Sequence, residues 1–225
     1  MRILHLSDIH IPSENDRDIY PFILDPFLLD VSTYNKQNKF DLVIISGDLV
    51  DKGGLAFKNR NNCFSTFRDC FVQPLLEKLS LSRDRLYFVP GNHDVWRDKD
   101  TLVTEAGLSQ LLKSSSDVNK FIDDASSDGV KRIEPFKIFE NEFYETHPNK
   151  LLTNYHSLFK IPVGEKTLGI ACLNTAWRSF YESKDKNNLI LGERQLSEAK
   201  NYFTDTNINI ALLHHPVDWL ADFDR

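Results

Sequence analysis

Three short runs in the N-terminal part of the chain are apolar at nearly every position: Ile3–Leu6, Leu42–Ile45 and Leu86–Val89. Each is too short for a helix and rich in β-branched or aromatic residues, the pattern of a strand buried on both faces of a parallel sheet. Helical periodicity lies between them. Asp18–Tyr34 carries apolar residues at helical spacing, with Pro21 and Pro26 predicting a late start or a kink. Phe64, Phe67, Phe71, Leu75 and Leu79 line one face of a second helix, interrupted by Pro74. Strand and helix in alternation predict right-handed βαβ units and an α/β fold.

From Val95 to about His156 the pattern loosens. Ser114–Asp117 and Asp123–Gly129 are polar and loop-like, and Phe136–Phe143 is a short amphipathic piece. This segment, about 95–156, reads as an insertion or cap over the sheet edge within one domain spanning 1–225. Strand character returns at Tyr155–Ile161 and Thr167–Leu173, and a helix is predicted over Gly192–Phe203. A further buried strand, Ile208–Leu213, runs into His214-His215-Pro216. Val217–Ala221 predicts a helix starting after Pro216, so the chain is expected to stop inside a structured region.

Composition narrows the picture. With 225 residues, 41% of them hydrophobic, the chain can bury a sizeable core. Its 27 Lys and Arg against 33 Asp and Glu give a net charge of −6, which disfavours nucleic-acid binding by bulk charge. Lys58-Asn59-Arg60 and Lys131-Arg132 remain as local basic clusters. No secretory leader is legible and no apolar run approaches the ~20 residues of a bilayer span. The three cysteines form no C-x-x-C pair and are odd in number, as expected of reduced thiols. A soluble, cytoplasmic protein without a membrane partner is expected.

The chemistry sits where the strands end. The first leads into Asp8-Ile9-His10, the second into Gly47-Asp48-Leu49-Val50-Asp51, the third into Gly91-Asn92-His93-Asp94, and a later one into His214-His215. In an open parallel sheet the carboxyl ends of strands share one rim, where ligands bind. Carboxylates gathered there repel one another unless a cation neutralises them. Mixed oxygen and imidazole donors suit manganese, iron or zinc better than calcium or a thiolate site. Gly47 and Gly91 allow sharp turns and close backbone approach. D-x-H alone is common, and so is G-D-x-x-D; the whole set, in this order and at strand ends, points to a metal centre.

This order of motifs, from Arg2 to Pro216, resembles the calcineurin-like metallophosphoesterases. The resemblance implies two packed mixed β-sheets flanked by helices. It also implies two divalent cations, Mn2+ or an Fe/Mn pair, with Zn2+ as a further candidate. Asp8 and His10 would bind the first ion, Asp48 would bridge both, and Asn92 and His214 would bind the second, with His215 as the alternative to His214. His93 would be the general acid, its ring oriented by Asp51 or Asp94, although Asp51 is as readily a helix cap. The implied reaction is hydrolysis of a phosphodiester or phosphomonoester, a nucleotide-like substrate being the natural expectation. A hydroxide held between the ions would attack while His93 protonates the leaving oxygen.

The family's closing G-H-x-H motif does not occur before Arg225. The C-terminal part is therefore expected to be missing, each ion to be one imidazole short, and metal binding to be weak, with a further C-terminal domain in a longer polypeptide. Two other readings stand beside the hydrolase: an SbcD-type nuclease, and a regulatory or sensor domain of a larger protein with a weak metal site. Of the remaining residues, His5 and His156 are expected to pack structurally and His147 to be exposed. Trp96, Arg97, Trp177 and Arg178 are expected to border the substrate or to pack on one another. Asn174 is expected behind the ligands.

Overall fold

The apolar runs become strands. The computed structural model describes residues 1–13, 20–98, 102–124, 130–180 and 182–225. β1 (Ile3–Leu6), β2 (Leu42–Ile45) and β3 (Leu86–Phe88) form a parallel sheet in that order. Its register sets Leu6 opposite Ile45 and Ile45 opposite Phe88, so the three strands finish level and release their following loops at one edge.

Two helical crossovers join these strands. α1 (Asp25–Gln37) continues directly from a π-helical turn, Tyr20–Leu24, and Pro26 lies just past the junction where the hydrogen-bond pattern changes; Asp18, the predicted start, lies outside the described residues. The second crossover is one apolar stripe broken locally. α2 (Cys63–Phe67) passes through a π-helical turn, Arg68–Val72, into α3 (Gln73–Leu79), and Pro74 lies in the first turn of α3. There follow α4 (Leu102–Leu111), α5 (Ser115–Asp123) and α6 (Glu134–Phe143). The Ser114 side chain caps α5 by accepting from Asp117 N.

A second sheet holds β4 (Lys150–Leu152), β5 (Ser157–Val163), β6 (Lys166–Cys172) and β7 (Ile208–Leu212) in that order; its last pair is parallel and the others antiparallel. α7 (Glu182–Asp185) and α8 (Glu193–Tyr202) lie between β6 and β7. The strand period of two sorts the side chains. Phe159, Ile161, Ile170 and Cys172 face a core shared with Val43, Ile45 and Phe88 of the first sheet. Leu158, Ala171 and Leu173 face the other way, onto Ala199 and Phe203. The sheets therefore pack on each other with helices outside, as the resemblance implies.

Within 95–156 the packing is divided. α6 sends Phe136, Phe139 and Phe143 into the shared core, where Phe139 stacks on Phe88 and Phe64 at 5.3 and 5.6 Å. Leu108, Leu112, Val118 and Phe121 instead form a separate cluster with Trp177.

Several local expectations are corrected. β1 is half-buried and β7 mostly exposed; each lies at an edge of its sheet, and unlike the other edge strand β3 neither is covered on both faces. The expected helix after Pro216 is a single 3-10 turn, Val217–Trp219. His147 is buried, with Nε2 2.8 Å from the Tyr87 hydroxyl. His5 is exposed on β1, its Nε2 2.9 Å from Ser46 Oγ. No helix among the described residues is long and apolar enough to cross a membrane.

Candidate metal centre

The level strand ends place the first two loops side by side, and the sheet's backbone ladder continues beyond the strands. Asp8 N donates to Gly47 O (3.1 Å), His10 N to Asp48 O (2.9 Å) and Ile11 N to Leu49 O (3.1 Å). Asp8, His10 and Asp48 all adopt left-handed backbone, with φ of 57, 48 and 54°. For residues with a Cβ this costs about 1 kcal/mol or more apiece and persists only where surroundings enforce it. Such a bend turns each side chain off its strand path and toward the rim. His214 reaches the same place from the end of β7, in the other sheet rather than the first, as a single parallel sheet would have had it.

Two triangles of donor atoms meet at one oxygen. In the first, His10 Nε2 lies 3.6 Å from Asp8 Oδ1 and 3.4 Å from Asp48 Oδ2. In the second, His214 Nε2 lies 3.2 Å from Asn92 Oδ1 and 3.6 Å from the same Asp48 Oδ2. The other oxygen, Asp48 Oδ1, accepts from His93 N at 2.8 Å, which leaves Oδ2 for the cluster.

Proton bookkeeping tests whether these residues suit a cation. His214 Nδ1 is 2.7 Å from Ser46 O, an acceptor only, so Nδ1 carries a proton, and in the neutral ring Nε2 is the nitrogen left with a lone pair for a cation. With the ring neutral, that lone pair, the Asn92 amide oxygen and the Asp48 carboxylate oxygen all converge on one point, where a divalent ion could accept all three. Ligands ~2.1 Å from one ion stand about 3.0–3.4 Å apart at octahedral to tetrahedral angles. The observed separations are close to that range, so the residues fit. His10, Asp48 and His93 also offer ligand atoms all within 4.8 Å of one another, and the His10 and His93 rings meet edge to face at 4.5 Å.

The cluster is graded in exposure. The side chains of Asp48 and His214 are 5 and 9% exposed, those of His10 and Asp8 33 and 57%. The Ser7 hydroxyl, 2.5 Å from Asp8 Oδ2, lowers the Asp8 carboxyl below its usual value, helped by His214 and His10.

His93 Nδ1 is 2.8 Å from Asp51 Oδ1, and Asp51 Oδ1 is 3.7 Å from His10 Nδ1. Asp51 is thus the carboxylate on the His93 ring, and its side chain makes no capping hydrogen bond to the turn that follows. Asp94 does not share that role. Fully buried, it accepts from Leu49 N, Val50 N and Gly91 N, and burial beside Asp48 pushes its carboxyl up to about 8. His215 also points elsewhere: Nδ1 is 2.9 Å from Thr175 Oγ1, the ring stacks on Trp219, and burial lowers its pKa to about 3.

The outer residues are mostly structural. Trp177 is fully buried, and Arg178 makes a bidentate pair with buried Glu105. Asn174 holds its own turn, accepting from Ala176 N and Trp177 N. Trp96 is buried under the Arg60 guanidinium, whereas Arg97 reaches Asn92 O at 3.4 Å. His156 is buried against Thr153 and Glu198. Neither basic cluster forms an open patch, because Arg60 turns inward to Gly53 O and Arg132 is fully buried.

Sequence reasoning missed Ser7 and Ser46, whose hydroxyl and carbonyl support Asp8 and His214. Their only signal was position, each one or two residues before a candidate ligand or its glycine. The glycines do act as supposed: a Cβ on Gly47 would lie 2.5 Å from His214 Nδ1, and one on Gly91 2.1 Å from Asp48 Oδ1.

A two-sheet α/β sandwich with a carboxylate–imidazole–amide cluster at its strand ends is the arrangement of the metallophosphoesterase class of domains. The chain belongs to the calcineurin-like phosphoesterase family, which it matches over residues 1–223. It is also similar to an uncharacterized metallophosphoesterase-like protein, YydB, of Bacillus subtilis (strain 168). The two are 22% identical over 233 residues, covering 100% of this chain and 44% of the relative. The chain thus spans less than half the length of that relative.

Proposed function

We propose that this chain hydrolyses phosphate esters with two divalent cations, the first held by Asp8, His10 and Asp48 and the second by Asp48, Asn92 and His214. The observation that carries the reading is the shared Asp48 Oδ2, 3.4 Å from His10 Nε2 and 3.6 Å from His214 Nε2. Mixed oxygen and nitrogen donors favour Mn2+ or an Fe/Mn pair, with Zn2+ also compatible. Bound there, such a pair supplies charge neutralisation for phosphoryl oxygens and activation of water. The chain's own groups supply the rest. Asn92 donates an oxygen without adding negative charge that would repel a phosphate. Asp51 fixes the His93 ring through Nδ1 and aims Nε2 outward; the proton that would pass to the leaving oxygen is the second one, carried on Nε2 by the imidazolium form. Asp8 and His10, the most exposed of the set, mark the side from which substrate enters.

A nucleotide-like diester or monoester is the substrate class we favour. The inward turns of Arg60 and Arg132 leave little support for an SbcD-type nuclease track. The donor set, intact as far as His214, disfavours a purely regulatory or sensor domain.

Mn2+-loaded protein assayed on bis-p-nitrophenyl phosphate, p-nitrophenyl phosphate and single-stranded DNA tests the reading. Hydrolysis of an aryl phosphate that is lost in Asp48→Ala is expected. No turnover of any of the three by metal-saturated protein would refute it, and activity on DNA alone would favour the nuclease.

A further inference from the structure

Asp94 lies in the third loop, yet most of its hydrogen bonds leave that loop. Oδ1 accepts from Leu49 N at 2.9 Å and Val50 N at 3.0 Å, and Oδ2 from Leu49 N at 3.1 Å and Gly91 N at 2.8 Å. In return, Asp48 of the second loop accepts from His93 N of the third at 2.8 Å. The loops therefore exchange carboxylates, each receiving the other's backbone N–H groups. Leu49 and Val50 directly follow Asp48, whose left-handed backbone needs external enforcement. Buried hydrogen bonds that tie one side chain to the backbone of two loops at once are directional and hold those loops at a fixed spacing.

We propose that Asp94 is a positioning residue: it clamps the second and third loops together before any ion arrives, so that Asp48 and Asn92 hold their ligand spacing in the metal-free protein. The inference rests on the reading of Asp48 and Asn92 as ligands. It assigns Asp94 no contact with substrate and no share in proton transfer. The first loop is bound to the second by its own backbone ladder and does not depend on Asp94.

The test combines two measurements. Asp94→Asn keeps the side-chain volume but turns one acceptor into a donor facing N–H groups. Calorimetric titration with Mn2+, at a temperature where circular dichroism shows the variant folded, should give binding at least tenfold weaker than wild type. Phe203→Leu, in the separate core cluster behind the second sheet, should lose stability while keeping wild-type affinity, which separates positioning from general destabilisation. Amide hydrogen exchange on metal-free wild type should show Leu49 and Val50 protected. Folded Asp94→Asn with unchanged affinity would overturn the proposal, and so would rapid exchange at both amides. Exchange alone decides the matter should the variant not fold. Wild type that binds no Mn2+ sinks the ligand reading instead, with slow exchange still supporting the clamp.

Discussion

Gly91→Ala adds one methyl group and alters neither a charge nor a candidate ligand, so its effect reports the fit between the second and third loops. The added carbon would sit 2.1 Å from Asp48 Oδ1 and 2.4 Å from Asp48 N. Ordinary contact begins at roughly 3.4 Å, so the carboxylate and its backbone must retreat by about 1 Å. Gly91 has φ of −102°, a value alanine adopts freely, so the entire cost is this collision. A retreat of that size takes Asp48 Oδ2 out of register with His10 Nε2 and His214 Nε2. Misplacing a catalytic group by ~1 Å costs about 10²-fold in rate, or roughly 2.7 kcal/mol of transition-state stabilisation. Overpacking of this kind removes about 1–3 kcal/mol of stability, lowering Tm by several degrees while leaving the protein folded at 25 °C. The comparison is Gly107→Ala on α4, where the new carbon meets nothing within 4 Å. Removing a helical glycine there should add about 0.5–1 kcal/mol and leave the rate unchanged. Hydrolysis of bis-p-nitrophenyl phosphate and Mn2+ titration of both variants read the result. Wild-type rate and affinity in Gly91→Ala would mean that Asp48 does not need its observed position.

Three further outcomes are expected. His93→Ala should reduce kcat by about 10²–10⁴-fold while Mn2+ affinity stays within a few-fold, because the bond to Asp48 comes from the His93 backbone; strong metal loss would make His93 a ligand. Asp51→Asn should lower kcat through loss of ring orientation while Mn2+ affinity stays within a few-fold; an unchanged kcat counts against the pairing. His156, held down to about 4 by burial and Lys137, resists protonation in the native state, whereas the unfolded chain takes up that proton below about 6.5. Stability should therefore fall as pH drops from about 6.5 toward 4, by at most about 3 kcal/mol, and urea titrations of His156→Gln should show a flatter acid dependence. A slope equal to that of wild type would remove His156 from the account.

The candidate centre was more legible than the scaffold carrying it, for a physical reason. Candidate donors at strand ends declare themselves by type and order, because Asp8, His10, Asp48, Asn92 and His214 would act through atoms their own side chains supply. Supports act through backbone or through contact at long sequence separation, and leave little trace. Ser46 holds His214 by its carbonyl oxygen, which any residue would carry. Asp94 and Asp51 look alike in sequence, each a carboxylate near His93, and only the packing turns one toward backbone N–H groups and the other toward the imidazole. Burial was misjudged for the same kind of reason. The apolar runs of β1 and β7 carried no sign that they would lie at sheet edges, since edge position follows from strand order. His147 and Arg132 read as surface groups until Tyr87 and Glu105 closed over them. What composition and period cannot encode is which polar atom meets which, and in this domain those meetings decide whether Asp48 stands where two cations could share it.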